Sequence, residues 1–353
     1  SAMEQTRQVS YPELSSRDFA AAHLNDAFTG QTGGASYPYN LMAQGLSDYS
    51  YPRLAALNHY GDWQAEFESG ALVYYEVYRE NGQDVYAFSG ANAYTLRSDR
   101  VAVGDGYALA FAADPGAAFT IGLEYAGGQT MTLTAATRIP VTAQQQTYYL
   151  VPLPTAVVDT DYVDGSGSNA FYQQIVVDGK SYYYNPHFAE SVTAGEQKPA
   201  APEQINIRTA RQLYALSRFY PDYAASTTAS AYMQRLAVDY TSYRWSAFTT
   251  HGAISEQQPI TSEAGFTATY DGDGHTVHGV SFRTNASRIG LFGMIAARGV
   301  VQNMTLLGNG GSLTYAGKAG DNTASGSSQT VQMGALAGYN HGTIRNCAAA
   351  GYG

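Results

Sequence analysis

Asp271-Gly272-Asp273-Gly274 comes nearest to metal chemistry in this chain, because Asp-x-Asp-Gly opens the calcium loop of an EF-hand. Such a loop needs a bidentate glutamate at its twelfth position, and Phe282 stands there, so a strand-joining turn is expected instead. Asp161-Tyr162-Val163-Asp164-Gly165-Ser166-Gly167-Ser168 offers two carboxylates on flexible backbone, which suits either a weak calcium site or a plain solvated loop. The histidines at 23, 59, 187, 251, 275, 278 and 341 are scattered. His275 and His278 are three apart, but a turn followed by a strand points them in unrelated directions. There is no His-Glu-x-x-His, no Gly-x-Ser-x-Gly and no Gly-x-x-x-x-Gly-Lys-Ser/Thr, which removes the zinc peptidase, the serine elbow and the phosphate loop. Paired carboxylates that cleave sugars find little material after residue 200, where only eight acidic residues occur. No catalytic residue, cofactor or resident metal is expected, and the chain reads as no enzyme.

The tyrosines are more informative. Of 30 in all, 20 lie in the first 200 residues, clustered at Tyr74-Tyr75 with Tyr78, at Tyr148-Tyr149 and at Tyr182-Tyr183-Tyr184. Adjacent residues of a strand face opposite sides, so at least one of each adjacent pair is expected at the surface. Exposed tyrosines give contact area at low entropic cost, which makes these eight the candidate ligand-binding residues. Strand filler with its hydroxyl at the surface is the competing account.

The elements that would carry them are mostly strands. Only 14% of the 353 residues are charged, and no apolar run approaches the ~20 residues of a membrane helix. Ser1-Ala2-Met3 has the character of an expression scar. Residues 4–66 form a lead-in with one helix signal, Ser15 through Phe28, followed by the aromatic segment His59-Tyr60-Gly61-Asp62-Trp63. From 67 to 195, short alternating segments and the turns Asn81-Gly82 and Asp178-Gly179 indicate a tyrosine-rich β-sandwich or small barrel. Residues 196–204 have linker composition. Beyond it, Ile207–Leu216 reads as a helix capped by Thr209, with Leu213, Leu216 and Phe219 or Tyr220 as its apolar stripe. Residues 1–200 hold nine Lys/Arg against 21 Asp/Glu, and residues 201–353 hold ten against eight. The acidic first part argues against nucleic acid and anionic membrane as partners.

The last third repeats itself. Gly290-Leu291-Phe292-Gly293, Gly299, Asn303 and Gly308 are matched by Leu336-Ala337-Gly338, Gly342, Asn346 and Gly351, with Gly334 just upstream. In each copy a glycine precedes the asparagine by four residues and another follows it by five. Fixed-spacing glycines between small apolar residues indicate stacked coils. Glycines are expected at corners with positive φ, and Asn303 and Asn346 as amides stacked along the axis. The helix at 207–216 would cover the first coil. Residues 309–330, rich in Gly, Ser, Thr and Asn, form an insertion between the copies. Cys347, the single cysteine, excludes a disulfide framework and is expected as an inert buried thiol.

Met333-Gly334-Ala335-Leu336-Ala337-Gly338-Tyr339-Asn340-His341-Gly342-Thr343-Ile344-Arg345-Asn346-Cys347 resembles the GLUG repeat of large bacterial surface proteins. The resemblance covers about 205–353 and implies a helix-capped right-handed parallel β-helix. Tyr37-Pro38-Tyr39, His59–Trp63 and Tyr74–Tyr78 resemble segments of surface proteins of gut Clostridia, adhesin- or pilin-like, some of which bind host immunoglobulin. By that resemblance the chain is a piece of a longer extracellular, surface-displayed protein that engages a host protein, immunoglobulin being the specific candidate. Two other functions compete. One is a structural spacer or pilus-like subunit. The other is a carbohydrate-binding or carbohydrate-cleaving module, with Trp63 and Trp245 as the residues to test.

Overall fold

The computed structural model describes residues 39–40, 53–54, 69–89, 96, 100–116, 119–134, 137–143, 146–158, 171–188, 193–195, 197–200, 202–226, 230–241, 258–284, 286–315 and 330–352. The Ser15–Phe28 helix, His59–Trp63, Trp245, the Asp161–Ser168 loop and most of the 309–330 insertion lie outside the described residues. The fold is mainly β.

A two-residue pair, β1 (Tyr39–Asn40) and β2 (Arg53–Leu54), comes first. Then follow β3 (Ala71–Glu80), β4 (Gln83–Ser89), β5 (Ala102–Phe111), β6 (Thr120–Tyr125), β7 (Gln129–Thr134), β8 (Ile139–Ala143) and β9 (Gln146–Pro152). A single-turn helix, α1 (Thr155–Val158), precedes β10 (Gln173–Val177), β11 (Lys180–Tyr184) and β12 (Thr193–Ala194). They pair antiparallel in two sheets, β4-β3-β5-β9-β8 and β12-β11-β10-β6-β7. Both expected hairpin turns are present: Asn81 and Gly82 have φ 49° and 78°, and Asp178 and Gly179 have 45° and 85°. Side chains of both sheets, among them Leu72, Phe88, Leu109, Leu123, Leu133 and Ile175, share one core.

The second region begins with β13 (Gln204–Ile207), helix α2 (Ala210–Ser226), β14 (Ala231–Gln234), β15 (Val238–Asp239), β16 (Thr269–Asp271), β17 (Thr276–His278), β18 (Phe282–Thr284), β19 (Arg288–Ile289) and β20 (Phe292–Ile295). It continues with β21 (Val300–Leu307), β22 (Leu313–Tyr315), β23 (Gln332–Met333), β24 (Ala337–Asn340) and β25 (Thr343–Ala350). Here every strand pairing is parallel. β13, β14, β16, β21 and β25 stack as successive rungs of one column. A neighbouring column runs through β15, β17 and the second halves of β21 and β25. The sequence repeat is the structural register: Val301 pairs with Ile344, Phe292 with Ala337, and Met304 with Cys347. Ile205, Tyr232, Tyr270 and Val301 follow one another up the column and are all buried.

The glycines do something other than the corner work expected of them. Of the ladder glycines, only Gly351 has a positive φ, 76°. The left-handed corners are taken by Asn303 at φ 56° and Asn346 at 51°, a conformation that asparagine tolerates better than most residues. Glycine is needed where one coil touches the next. A Cβ on Gly290 would stand 2.2 Å from the Gly334 carbonyl oxygen, on Gly299 2.2 Å from that of Phe266, and on Gly342 2.3 Å from that of Gly299. Gly308 meets Gly351 in the same way, and Gly293, Gly334 and Gly338 are also crowded.

Helix α2 has the expected cap at Thr209 but not the expected bounds: Ile207 ends strand β13 and the helix starts at Ala210. The Thr209 hydroxyl accepts the Gln212 N–H at 3.2 Å, and the Gln212 side-chain oxygen accepts the Arg208 N–H at 2.6 Å, a reciprocal cap. Leu213, Leu216, Phe219 and Tyr220 are buried as the stripe requires, and the helix runs past Pro221 to Ser226. Arg211 and Gln212, on another side of α2, are buried as well. They face the antiparallel sheets, so the helix has a neighbour on each side. β15 also joins the first region directly, through Val238 paired with Ala102 of β5.

Candidate functional site

The tyrosine clusters are inside the protein. Tyr74, Tyr75, Tyr78, Tyr148, Tyr182, Tyr183 and Tyr184 are all buried, and Tyr149 is half-buried. Alternation does put neighbours on opposite faces, but these strands are covered on both. Tyr74 packs on Tyr107 with ring centroids 5.9 Å apart, while Tyr75 on the other face packs on Tyr86 at the same distance. Tyr148 meets Phe88 edge-on at 5.3 Å. Tyr184 meets Tyr107 at 4.9 Å and donates its hydroxyl to the Val157 carbonyl at 2.9 Å. Burial holds the Tyr75 and Tyr184 hydroxyls well above the ordinary tyrosine pKa, so they remain donors. These residues are a hydrogen-bonded aromatic core, not a contact surface.

What this core converges on is a charged cluster at the junction of the two regions. Tyr74, Glu76 and Tyr78 alternate onto one face of β3, and Asp105 of β5 is the register partner of Glu76. Glu76 and Asp105 are both fully buried. The Tyr74 hydroxyl lies 3.2 Å from Glu76 Oε1 and 3.2 Å from Asp105 Oδ2, and Tyr78 donates to Glu76 Oε2. The start of α2 closes the other side. Arg211 Nη1 is 3.2 Å from Asp105 Oδ2, Thr209 Oγ1 donates to the same oxygen at 3.4 Å, and Gln212 Nε2 reaches the Tyr74 hydroxyl at 3.4 Å. Arg211 also donates to the Pro186 carbonyl, and Gln212 to that of Phe188. Asn185 orders this turn by accepting the backbone N–H groups of His187 and Phe188, both at 2.8 Å. His187 stacks on Phe219 of α2 at 3.7 Å. Burial pushes the Glu76 carboxyl up to about 7, against the opposing pull of Arg208 and the Tyr78 hydroxyl.

A second polar arrangement runs along the outside of the coils. Asn346 Nδ2 donates to Asn303 Oδ1 at 2.8 Å, and Asn303 Nδ2 to Asp271 Oδ1 at 3.0 Å. Beside it, Arg345 Nε donates to Gln302 Oε1 at 2.7 Å, and Gln302 Nε2 to Asp271 Oδ2 at 2.5 Å. The expected amide stack is therefore present, and Asp271 anchors both rows. Burial favours the neutral acid at Asp271, but hydrogen bonds from the Asp273 N–H, Gln302 and Asn303 outweigh it and hold the carboxyl below its ordinary value. Asp271-Gly272-Asp273-Gly274 is the expected turn, with Asp273 and Gly274 at φ 49° and 78° and the Asp273 N–H on Asp271 Oδ1 at 2.9 Å. A Cβ on Gly272 would stand 2.3 Å from that of Met304. Among the described residues no group of three or more His, Cys, Asp or Glu is arranged to hold a metal.

β25 is the last rung of the column among the described residues, and its inward side chains are only partly covered. Ile344 is 37% exposed, and Met333 on β23, which pairs with β19, is 47% exposed. Cys347 is half-buried rather than enclosed, with its thiol donating to the Arg345 carbonyl at 3.2 Å. Among the described residues no helix is long and apolar enough to cross a membrane. The chain matches no protein-family model, no curated protein and no solved structure.

The sequence carried one signal for the junction. Glu76 interrupts an apolar strand, and Asp105 falls between Gly104 and Gly106 in another. An acid in the middle of a buried strand demands a partner. Which partner it finds depends on α2, a hundred residues away.

Proposed function

We propose that this chain is a non-enzymatic interaction module of an extracellular, bacterial surface protein, in which an antiparallel β body carries a right-handed parallel β-helix. Its partner is a host protein, and immunoglobulin is the specific candidate implied by the resemblance of Tyr37–Tyr39, His59–Trp63 and Tyr74–Tyr78 to surface proteins of gut Clostridia. The observation that most supports this reading is the end of the coil stack. β25 pairs on one side only among the described residues, and its Ile344 is exposed. An eight-residue strand that pairs on one side among the described residues and presents Ile344 suits recognition by strand addition. That location replaces the tyrosine clusters, whose burial removes them as contact residues. A biosensor panel of serum and mucosal immunoglobulins over the immobilised protein tests it. Binding that Ile344→Lys abolishes, with the thermal midpoint unchanged, is the expected result, and a flat trace across the panel overturns it.

The spacer reading is favoured by the same end. Five in-register rungs are a rigid rod, and an open rung can accept a further coil. Concentration-dependent self-association in sedimentation, without immunoglobulin binding, would decide for it.

A further inference from the structure

At the junction two fully buried carboxyl groups share one hydroxyl. Tyr74 has a single hydroxyl hydrogen and stands 3.2 Å from an oxygen of each of two fully buried carboxyl groups. Burial, with the two neighbouring acids, raises the Tyr74 pKa far enough that this hydrogen stays in place. It can be given to Glu76 or to Asp105, not to both. On the α2 side, Arg211 and Thr209 both donate to Asp105 Oδ2, whereas Arg208 acts on Glu76 through its charge. Among the described residues, the hydrogen bond at Glu76 Oε1 comes from the Tyr74 hydroxyl. A proton on Glu76 lets this one hydroxyl serve both groups. The Glu76 carboxyl then donates to the Tyr74 oxygen, Tyr74 donates to Asp105, and Asp105 answers Arg211.

We infer that the two regions are clasped by a bound proton: Glu76 is a neutral carboxylic acid in the assembled protein, and its loss of that proton loosens the seat of α2 on β3 and β5. The groups facing Glu76 are Tyr74 and Tyr78 from its own strand, Asp105 from β5, and Arg208 from the segment just before α2, while Arg211 of α2 pairs with Asp105. Full burial favours the neutral form of Glu76 and Asp105 adds to it, against Arg208 and the two hydroxyls, which favour the charged form. The sign follows from linkage. Below the ordinary glutamate range the carboxyl is protonated in both folded and unfolded chains. Between that range and about 7 only the folded protein holds the proton, so stability falls as pH rises through this window and then levels off. The surface ladder at Asp271 works in the opposite sense. The device is independent of what the stack binds.

Infrared spectroscopy of the intact protein in D2O tests the clasp without any substitution. The carbonyl stretch of a buried protonated carboxylic acid should be present at pH 6 and fade by pH 9. In Glu76→Gln that band should be missing while the protein stays folded, because the amide can still donate to Tyr74. The folding equilibrium constant of the wild type should drop on the order of tenfold between pH 5.5 and pH 8 relative to Glu76→Gln. A wild-type spectrum without the band at pH 6, or a band that survives in the folded Gln variant, overturns the inference. Should Glu76→Gln fail to fold, the wild-type band and its loss with rising pH decide alone.

Discussion

The two β regions hold themselves together by different means. In the antiparallel body, side chains fill the space between and around the sheets: β5 is buried along its whole length, and β3 buries adjacent tyrosines on both faces. In the coil stack, backbone lies against backbone, and the space where a side chain would fit is absent at Gly290, Gly299, Gly308 and Gly342. The first arrangement makes stability depend on volume and on the pairing of the few polar groups it encloses. The second makes it depend on register, since each coil's shape is a template for the next. The junction cluster belongs to the first kind, and the Asp271 ladder to the second.

The largest effect is expected at the junction. Arg211→Ala leaves Asp105 buried without its guanidinium, and a loss of about 3–5 kcal/mol is expected in denaturant unfolding, the usual result of stripping one partner from a buried pair. A loss below about 1 kcal/mol would mean that the two regions do not depend on this contact. The glycines test the other half. Gly299→Ala forces a Cβ into the Phe266 carbonyl and should cost about 3 kcal/mol. Gly82→Ala, in an open hairpin turn at φ 78°, meets no atom and should cost only about 1 kcal/mol of backbone strain. Equal losses in the two variants would remove the distinction between contact glycines and turn glycines. The smallest effect belongs to Asp271. Its carboxyl is held below the ordinary value, so its contribution is present at neutral pH and lost as pH falls through the acid range. Asp271→Asn should therefore show a flatter fall in thermal midpoint between pH 6 and pH 3 than the wild type. Identical acid limbs would sink that assignment.

Much of the coil stack was legible because its determinants are local and repeated. The Gly299 and Gly342 copies of the motif align residue for residue with the observed pairing, and the Asn303–Asn346 amide contact was expected from spacing alone. The physical role of the glycines was not, because a contact between coils is invisible in either coil by itself. Thr209 capping α2 was legible for the same local reason, as were the two hairpin turns. The tyrosines misled because alternation says which residues oppose each other, not whether anything covers either face. In β3 both faces are covered, so Tyr74 and Tyr75 point apart and are both enclosed.

By itself, then, the sequence determined the β character, the hairpins, the helix start at Thr209 and the register of the stack, all of which follow from backbone preference and short-range periodicity. The tertiary structure alone decided the fate of the tyrosines and the convergence of Glu76, Asp105 and Arg211. Burial and charge pairing are properties of segments brought together from far apart: Asp105 and Arg211 are separated by 106 residues and meet at 3.2 Å. No local pattern encodes that meeting, and the pull on a proton at Glu76 exists only once it has happened.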